Sequence, residues 1–243
     1  MRNTTGAGNH VTVGPPNAFT APLASRTRAS RCARGLGALS ALLFVCVWHS
    51  RGETQVERTL GPLDGQRRVP YFIASGEPGS AYRDSDRELA RWALEAWERN
   101  ANGAFHFVAS PEATALVRIH WVPAGRGEYG EMRRLMVDGR RGAAVFIRPD
   151  TDALGEAIGQ GARADELFRD TIVYLTCVHE LGHALGLQHT AEFQDVMYFF
   201  GYGGDIAGFF ARYRRRLQAR ADIAGEAGLS DGDLAQLHSL YRK

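Results

Sequence analysis

The sequence predicts an α+β fold, in which several short β-strands are combined with long helices. Residues 69–148 contain several short strand-like segments and one segment with the apolar periodicity of a helix. Residues 166–185 form a second helical segment, which has no Pro or Gly before Gly182 and is mostly apolar from 172 to 178, as in a buried helix. With 243 residues, 44% of them hydrophobic, the chain has room for one such domain and a leader.

The predicted elements follow one another in the order strand, helix, strands and helix. Residues 69–74 are typical of a first strand, and residues 84–100 of an amphipathic helix. One face of this helix, including two tryptophans that we expect in the core, consists of Leu89, Trp92, Ala93, Ala96 and Trp97. Further strands are predicted at 105–109, 116–122 and 143–148.

Residues 179–189, with the sequence HELGHALGLQH, place three imidazoles and a carboxylate close together at the end of the second helix. His179 and His183 are four residues apart, so they lie on one face of the helix, one turn from each other. Glu180 lies beside that face, where a carboxylate can act as a general base without binding the metal. His189 follows six residues later, a rotation of about 600°, so a straight helix would turn it away.

Gly186 resolves this conflict, because glycine adopts a positive φ at little cost and commonly ends a helix. A sharp turn at Gly186 would bring His189 back toward His179 and His183. Three histidine ligands leave the fourth position of a tetrahedral zinc ion for water, which is typical of a catalytic site. The run therefore predicts one catalytic Zn²⁺, with Glu180 as the base.

The pattern H-E-x-x-H-x-x-G-x-x-H is that of the metzincin zinc proteases, which the chain resembles at further places. Residues 195–198 (Asp-Val-Met-Tyr) resemble the methionine turn, or Met-turn, that lies beneath the metal in this clan. Its methionine would be Met197, eight residues after His189. Thr190, directly after the third histidine, resembles the matrixin branch, which has the matrix metalloprotease type of catalytic domain.

Residues 229–241 resemble the final helix of matrixins, L-S-x-D-D-I-x-x-I-x-x-L-Y. Ser230 is a good N-cap residue, and Asp233 stands where it can close a capping box. An apolar stripe along this helix is formed by Leu234, Leu237, Leu240 and Tyr241. Gly232 stands where the family has the first of two aspartates, and this departure puts a contact from that carboxylate to the Met-turn in question.

The resemblance covers about residues 69–243 and implies the zincin fold of metzincins. This fold has a twisted mixed sheet with a long N-terminal helix, a zinc-binding active-site helix, a Met-turn and a C-terminal helix. An edge strand beside the cleft would bind an extended peptide or protein substrate.

The resemblance also implies a zinc-dependent metalloendopeptidase, in which Glu180 activates a water on the zinc that His179, His183 and His189 hold. Two alternatives stay open, which are a catalytically silent zinc-containing binding protein and a zinc hydrolase that acts on a non-peptide amide.

Three parts of the chain are predicted, with a leader at 1–50, a linker at 51–66 and the catalytic domain at 67–243. Basic residues at 26–34 precede an apolar run at 36–48, as in a signal peptide. The run is shorter than a standard membrane-spanning helix of about 20 residues, and no small-residue cleavage site follows it. Both a cleaved signal and an uncleaved membrane anchor therefore stay open, and either predicts a secreted, periplasmic or cell-surface protein.

Other features carry less functional information. The formal net charge of +2 gives no indication of nucleic-acid binding, and we expect a monomer. Cys177 is about 200° around the helix from His179, so we expect it in the core. Asp150 and Asp152 could contribute to a calcium site, but no clear motif supports one and a solvated turn is favoured.

His106 and His120 are interpreted as ordinary strand residues. Residues 205–223 combine an apolar helical stripe with several arginines, namely Arg212, Arg214, Arg215, Arg216 and Arg220. We favour a packed helix with a charged outer face. The alternative is a segment that borders the cleft and favours acidic substrates or a membrane surface.

Overall fold

The computed structural model describes residues 61–64, 67–123, 125 and 128–242. Within these ranges the strands and α-helices are β1 (Arg68–Ile73), α1 (Asp86–Asn100), β2 (His106–Ala109), β3 (Val117–Trp121), β4 (Gly130–Val137), β5 (Arg140–Ile147), α2 (Glu156–Ala164), α3 (Glu166–Leu185), α4 (Ile206–Arg214) and α5 (Asp231–Leu240). The predicted α+β architecture is confirmed.

The five strands form one mixed sheet in the order β2-β1-β3-β5-β4. Strand β1 runs parallel to β2 and β3, and β3 runs parallel to β5. Strand β4 lies antiparallel to β5 and forms one edge of the sheet.

The sequence analysis assigned no strand to residues 130–137. The physical reason is that an edge strand is solvated along much of its length and need not alternate regularly. Arg133, Arg134 and Met136 of β4 are exposed, and so the periodicity that identified the inner strands is missing here.

Helix α3 has the predicted bounds, and local interactions explain both ends. The Asp165 carboxylate accepts a hydrogen bond from the Phe168 amide at the N-terminus. At the C-terminus Gly186 adopts a φ of +105°, the left-handed conformation expected of a glycine cap. Between these ends α3 packs against α1, and the Trp97 indole donates to the Val178 carbonyl over 2.9 Å. Cys177 is fully buried, as expected.

Residues 61–64, which belong to the predicted linker, pack against other described parts of the chain. Leu63 is buried, and its amide donates a hydrogen bond to the Tyr241 hydroxyl. The guanidinium of Arg141 contacts the carbonyl of Gly61. The leader, with its apolar run at 36–48, lies outside the described residues. Among the residues that are described, no helix has the length and apolar character needed to cross a membrane.

The arginine-rich segment 205–223 forms a shorter helix than its periodicity predicts. Helix α4 ends at Arg214, whose guanidinium pairs with Asp165 at the start of α3 (2.7 Å). Arg212 donates to the Phe193 carbonyl, and Arg216 pairs with Glu226. These contacts support the interpretation as a packed helix.

A buried ion cluster joins α1 to α3. The Arg169 guanidinium binds both carboxylate oxygens of Asp86, with a distance of 2.8 Å from Nη2 to Oδ2, and its Nη1 lies 3.3 Å from Asp170. Asp170 also accepts from Arg220, which follows α4 (2.8 Å). Since Asp86 and Arg169 are both buried, each charge depends on its partner.

We therefore expect Asp86→Ala to lower the free energy of unfolding by roughly 3–5 kcal/mol, because it leaves the Arg169 charge buried without its main partner. Urea denaturation followed by circular dichroism measures this change. Glu166→Ala is the matched control, since it removes an ion pair to Arg83 whose two side chains are 49% and 80% exposed. The control should lose less than about 1 kcal/mol, and equal losses in the two variants would contradict the assignment.

Candidate metal centre

The structure brings the three predicted histidines to one point. The Nε2 atom of His189 lies 3.2 Å from Nε2 of His179 and 3.0 Å from Nε2 of His183. Helix α3 carries the first two, and the turn at Gly186 directs the third back toward them. The amides of Gly186 and Leu187 donate to the carbonyls of His183 and Gly182, which closes the helix end as in a Schellman motif.

The other ring nitrogens determine which atoms face the common point. Nδ1 of His179 lies 2.6 Å from the Val196 carbonyl, and Nδ1 of His183 lies 3.0 Å from the Leu187 carbonyl. Because a carbonyl oxygen can only accept, each Nδ1 carries the proton and each Nε2 presents a lone pair. Burial, assisted by repulsion from His183, lowers the pKa of His179 to about 3, which keeps this imidazole neutral.

These three residues fit a zinc ion. Zn–N bonds of 2.0–2.1 Å in a tetrahedron place the nitrogens about 3.3 Å apart, close to the two distances observed. Lone pairs that converge at these distances repel one another unless a cation lies between them. The donor set is therefore that of a cation site, and the ligand atoms of His179, His183 and His189 all lie within 4.8 Å of one another.

Glu180 lies between the histidines and the edge strand β4. A Cβ atom on Gly130 would lie only 2.4 Å from Oε1 of Glu180, so the backbone of β4 directly covers this carboxylate. Burial, with a smaller contribution from the carboxylates of Glu128 and Glu131, raises the pKa of Glu180 to about 8. A cation at the histidines would act in the opposite direction. Gly130 was not predicted as a site residue because strand β4 was not predicted from the sequence.

Met197 lies directly beneath the helix that carries the histidines. It is fully buried, and a Cβ atom on Gly182 would meet its sulfur at 2.4 Å. The turn is closed by two backbone hydrogen bonds, from Thr190 to the Met197 carbonyl (2.9 Å) and from Phe199 to the Thr190 carbonyl (3.1 Å). The position beneath the metal ligands is the one expected of a Met-turn.

The carboxylate that contacts this turn belongs to Asp233. It accepts hydrogen bonds from the amides of Val196 (2.9 Å) and Met197 (3.2 Å), and it forms the predicted capping box with Ser230. Gly232 makes no such contact, and a Cβ there would lie 2.8 Å from both carboxylate oxygens of Asp195. The Ser230 hydroxyl donates to Asp195 over 2.6 Å. The glycine thus leaves room for a second buried carboxylate, which the sequence analysis did not identify.

The histidines open onto a cleft of about 900 Å³. One rim of the cleft is formed by strand β4 together with Glu128 and Tyr129. This rim carries the charged side chains of Glu128, Glu131 and Arg134. Its opposite wall comes from α3 and from residues 196–210, and the apolar side chains of this wall include Leu175, Val196, Phe200, Ile206, Phe209 and Phe210. The aromatic residues at 199–202 were not predicted from the sequence, and their only signal is their density directly after the Met-turn.

The other candidate residues lie elsewhere. His106 contacts Glu98 (3.0 Å), and His120 stacks on Phe146. The Asp150 carboxylate accepts from the Asp152 amide, and Asp152 pairs with an arginine, as in a surface turn.

Comparison with known proteins places this geometry in a family context. The sequence profile of the matrixin family matches residues 65–204, which include the histidine run and the Met-turn. Interstitial collagenase from Sus scrofa is 29% identical over 140 residues, which represent 57% of this chain and 28% of the collagenase. The chain thus spans little more than a quarter of the length of that relative.

Asp233→Ala should weaken zinc binding by about 10- to 100-fold, because the Asp233 carboxylate holds the Val196 backbone whose carbonyl orients His179. Competition with a chelating dye at equilibrium measures this affinity. Asp231→Ala is the control, since Asp231 lies in the same helical turn but is exposed. Unchanged zinc affinity in folded Asp233→Ala, or in Asp233→Asn if the alanine variant does not fold, would contradict the assignment.

Proposed function

The chain belongs to the matrixin family, and from this premise we propose that it is a zinc-dependent metalloendopeptidase. The observation that carries the proposal is the convergence of three histidine Nε2 atoms beside a buried carboxylate, all facing an open cleft. His179, His183 and His189 would hold the metal, and Glu180 would be the catalytic base.

Zinc at this site would supply a Lewis acid that acidifies water and polarises a carbonyl group. Glu180 would accept a proton at its carboxylate from the attacking water and return it to the nitrogen of the leaving amine. Its place under the backbone of β4 keeps the carboxylate at the edge of the cleft. The same backbone excludes bulk water from one side of Glu180.

The free edge of β4 is the proposed binding surface for the substrate backbone. Strand β4 pairs with β5 on one side only, and no described strand pairs with its other edge. An extended peptide that added to this edge would be held by main-chain hydrogen bonds and would pass directly over the histidines. This binding mode requires an extended segment and favours peptide or protein substrates.

The wall formed by residues 196–210 is the proposed specificity pocket. In matrixins the segment between the Met-turn and the final helix forms the pocket for the residue after the scissile bond. Here the buried aromatic rings of α4 and the preceding turn make that pocket apolar. We infer a preference for a large apolar residue after the scissile bond.

The two alternative functions differ from this one in what the protein would do with peptides. A silent zinc-binding protein would bind the metal without hydrolysing peptides. A zinc hydrolase for non-peptide amides would also leave peptides intact. The apolar run at 36–48, with the basic residues before it, supports export, and this run would be a signal peptide or a membrane anchor.

Glu180→Gln should retain zinc and lose peptide hydrolysis by about 100- to 10,000-fold, since a general base typically contributes that much. Cleavage of a diverse peptide library with and without a chelator, together with the bound zinc content, tests this. Glu192→Gln, an exposed change outside the cleft, is the control. Loss of zinc along with activity would show that the role assigned to Glu180 is wrong.

Thr176→Phe should reduce cleavage before large apolar residues at least about tenfold, while cleavage before alanine is retained. Thr176 lines the cleft, so the added ring would occupy space that the substrate side chain needs. A single methylene group is worth roughly 1–3 kcal/mol in such a pocket. The measurement is kcat/KM for matched peptides that differ only at this residue. An equal loss on both peptides would argue against this pocket.

A further inference from the structure

Phe199 is an exposed aromatic residue that lies against the third histidine. Its ring centroid is 4.7 Å from that of His189, with 37° between the ring planes, although 41% of Phe199 remains exposed. Large exposed apolar side chains are few among the described residues, and Phe199 is the one that packs on a member of the histidine set.

His189 differs from the other two histidines in its backbone support. His179 and His183 belong to α3, whose backbone is rigid and buried, whereas His189 lies in the loop that follows the turn at Gly186. A side chain on a loop is held less tightly than one on a helix, so packing must restrict its rotation if the three nitrogens are to stay together. The Phe199 ring provides such a packing surface.

The surroundings of Phe199 hold its ring in this position. The Phe199 amide donates to the carbonyl of Thr190, the residue next to His189 (3.1 Å). The Tyr202 ring packs edge-on against Phe199, at 5.1 Å between centroids. Gly201 lies under the ring, and a Cβ there would come within 2.2 Å of Cε1 and 2.3 Å of Cζ of Phe199. The ring can therefore lie against His189 only because residue 201 has no side chain.

We propose that Phe199 is a positioning residue for the metal centre. Its ring holds the imidazole of His189 so that the Nε2 atom of His189 lies next to the Nε2 atoms of His179 and His183. Gly201 permits this position of the ring because it has no side chain. This inference rests on the proposed zinc site. It assigns a role to Phe199 and Gly201, neither of which belongs to the three residues that would hold the metal.

An alternative explanation for the exposed ring is contact with substrate. The two explanations differ in a measurable way. If the ring only contacts substrate, its removal changes KM but leaves zinc binding unchanged in the absence of substrate. If the ring positions His189, its removal changes the zinc affinity and the ligand geometry in the protein without substrate.

The test compares Phe199→Ala with Gly201→Ala in the full chain. Gly201 lies in a short helical turn without a positive φ, so alanine fits its backbone and acts only by displacing the Phe199 ring. Zinc affinity by dye competition and the visible absorption of the Co²⁺-substituted protein are measured without substrate. Phe199→Tyr keeps the ring, and Gly225→Ala is a matched glycine control in ordinary van der Waals contact only.

We expect both alanine variants to weaken zinc binding about tenfold or more and to change the Co²⁺ spectrum, the range typical of residues that orient metal ligands. The double variant should be no weaker than Phe199→Ala, because Gly201→Ala has no ring left to displace. Phe199→Tyr and Gly225→Ala should behave as the unchanged protein. Unchanged affinity and spectrum in folded Phe199→Ala, or effects of the two alanine changes that add, would overturn the inference.

Failure of this inference is distinguishable from failure of the proposed function. If the unchanged protein binds no zinc, the proposed site itself is wrong. If it binds zinc and only KM changes in Phe199→Ala, the site stands and the ring is a substrate contact.

Discussion

The structure depends on one electrostatic constraint, which is the convergence of three imidazole nitrogens on one point. Two of these nitrogens present lone pairs because their partner nitrogens donate to carbonyls of Val196 and Leu187. Lone pairs at about 3 Å from one another repel unless a cation lies between them. An arrangement of this kind persists only if the surrounding structure is rigid enough to hold the ligands, and much of the fold around α3 has that effect.

The rigidity comes from both sides of α3. On one side α1 packs along the helix, with the Trp97 indole bonded to the Val178 carbonyl in the turn before the first histidine. On the other side α5 reaches the Met-turn through Asp233, which binds the backbone of Val196 and Met197. A single chain of contacts therefore leads from the final helix through Val196 to His179. Helix α5 is distant in sequence from His179, but through these contacts it supports the candidate metal centre.

The sequence predicts local features of this centre well and long-range features poorly. The two ends of α3, the turn at Gly186 and the capping box at Ser230 depend on residues a few positions apart, so their spacing is enough to identify them. Gly130 covers the Glu180 carboxylate, but the two residues are fifty positions apart and glycine carries no signal of the contact. The same limit applies to Gly232, whose missing side chain has meaning only once Asp195 is known to lie beside it.

The arginine-rich segment shows how the fold separates charge from substrate recognition. Arg214 and Arg220 bind carboxylates of Asp165 and Asp170 on α3, and these contacts hold α4 against the body of the protein. With its arginines directed to such partners, α4 presents Ile206, Phe209 and Phe210 to the cleft. Among the described residues that line the cleft, the opposite rim contributes the charged side chains of Glu128, Glu131 and Arg134. A segment that appears basic in sequence therefore provides an apolar wall, while Arg214 and Arg220 bind carboxylates at α3, Arg212 binds the Phe193 carbonyl and Arg216 pairs with Glu226.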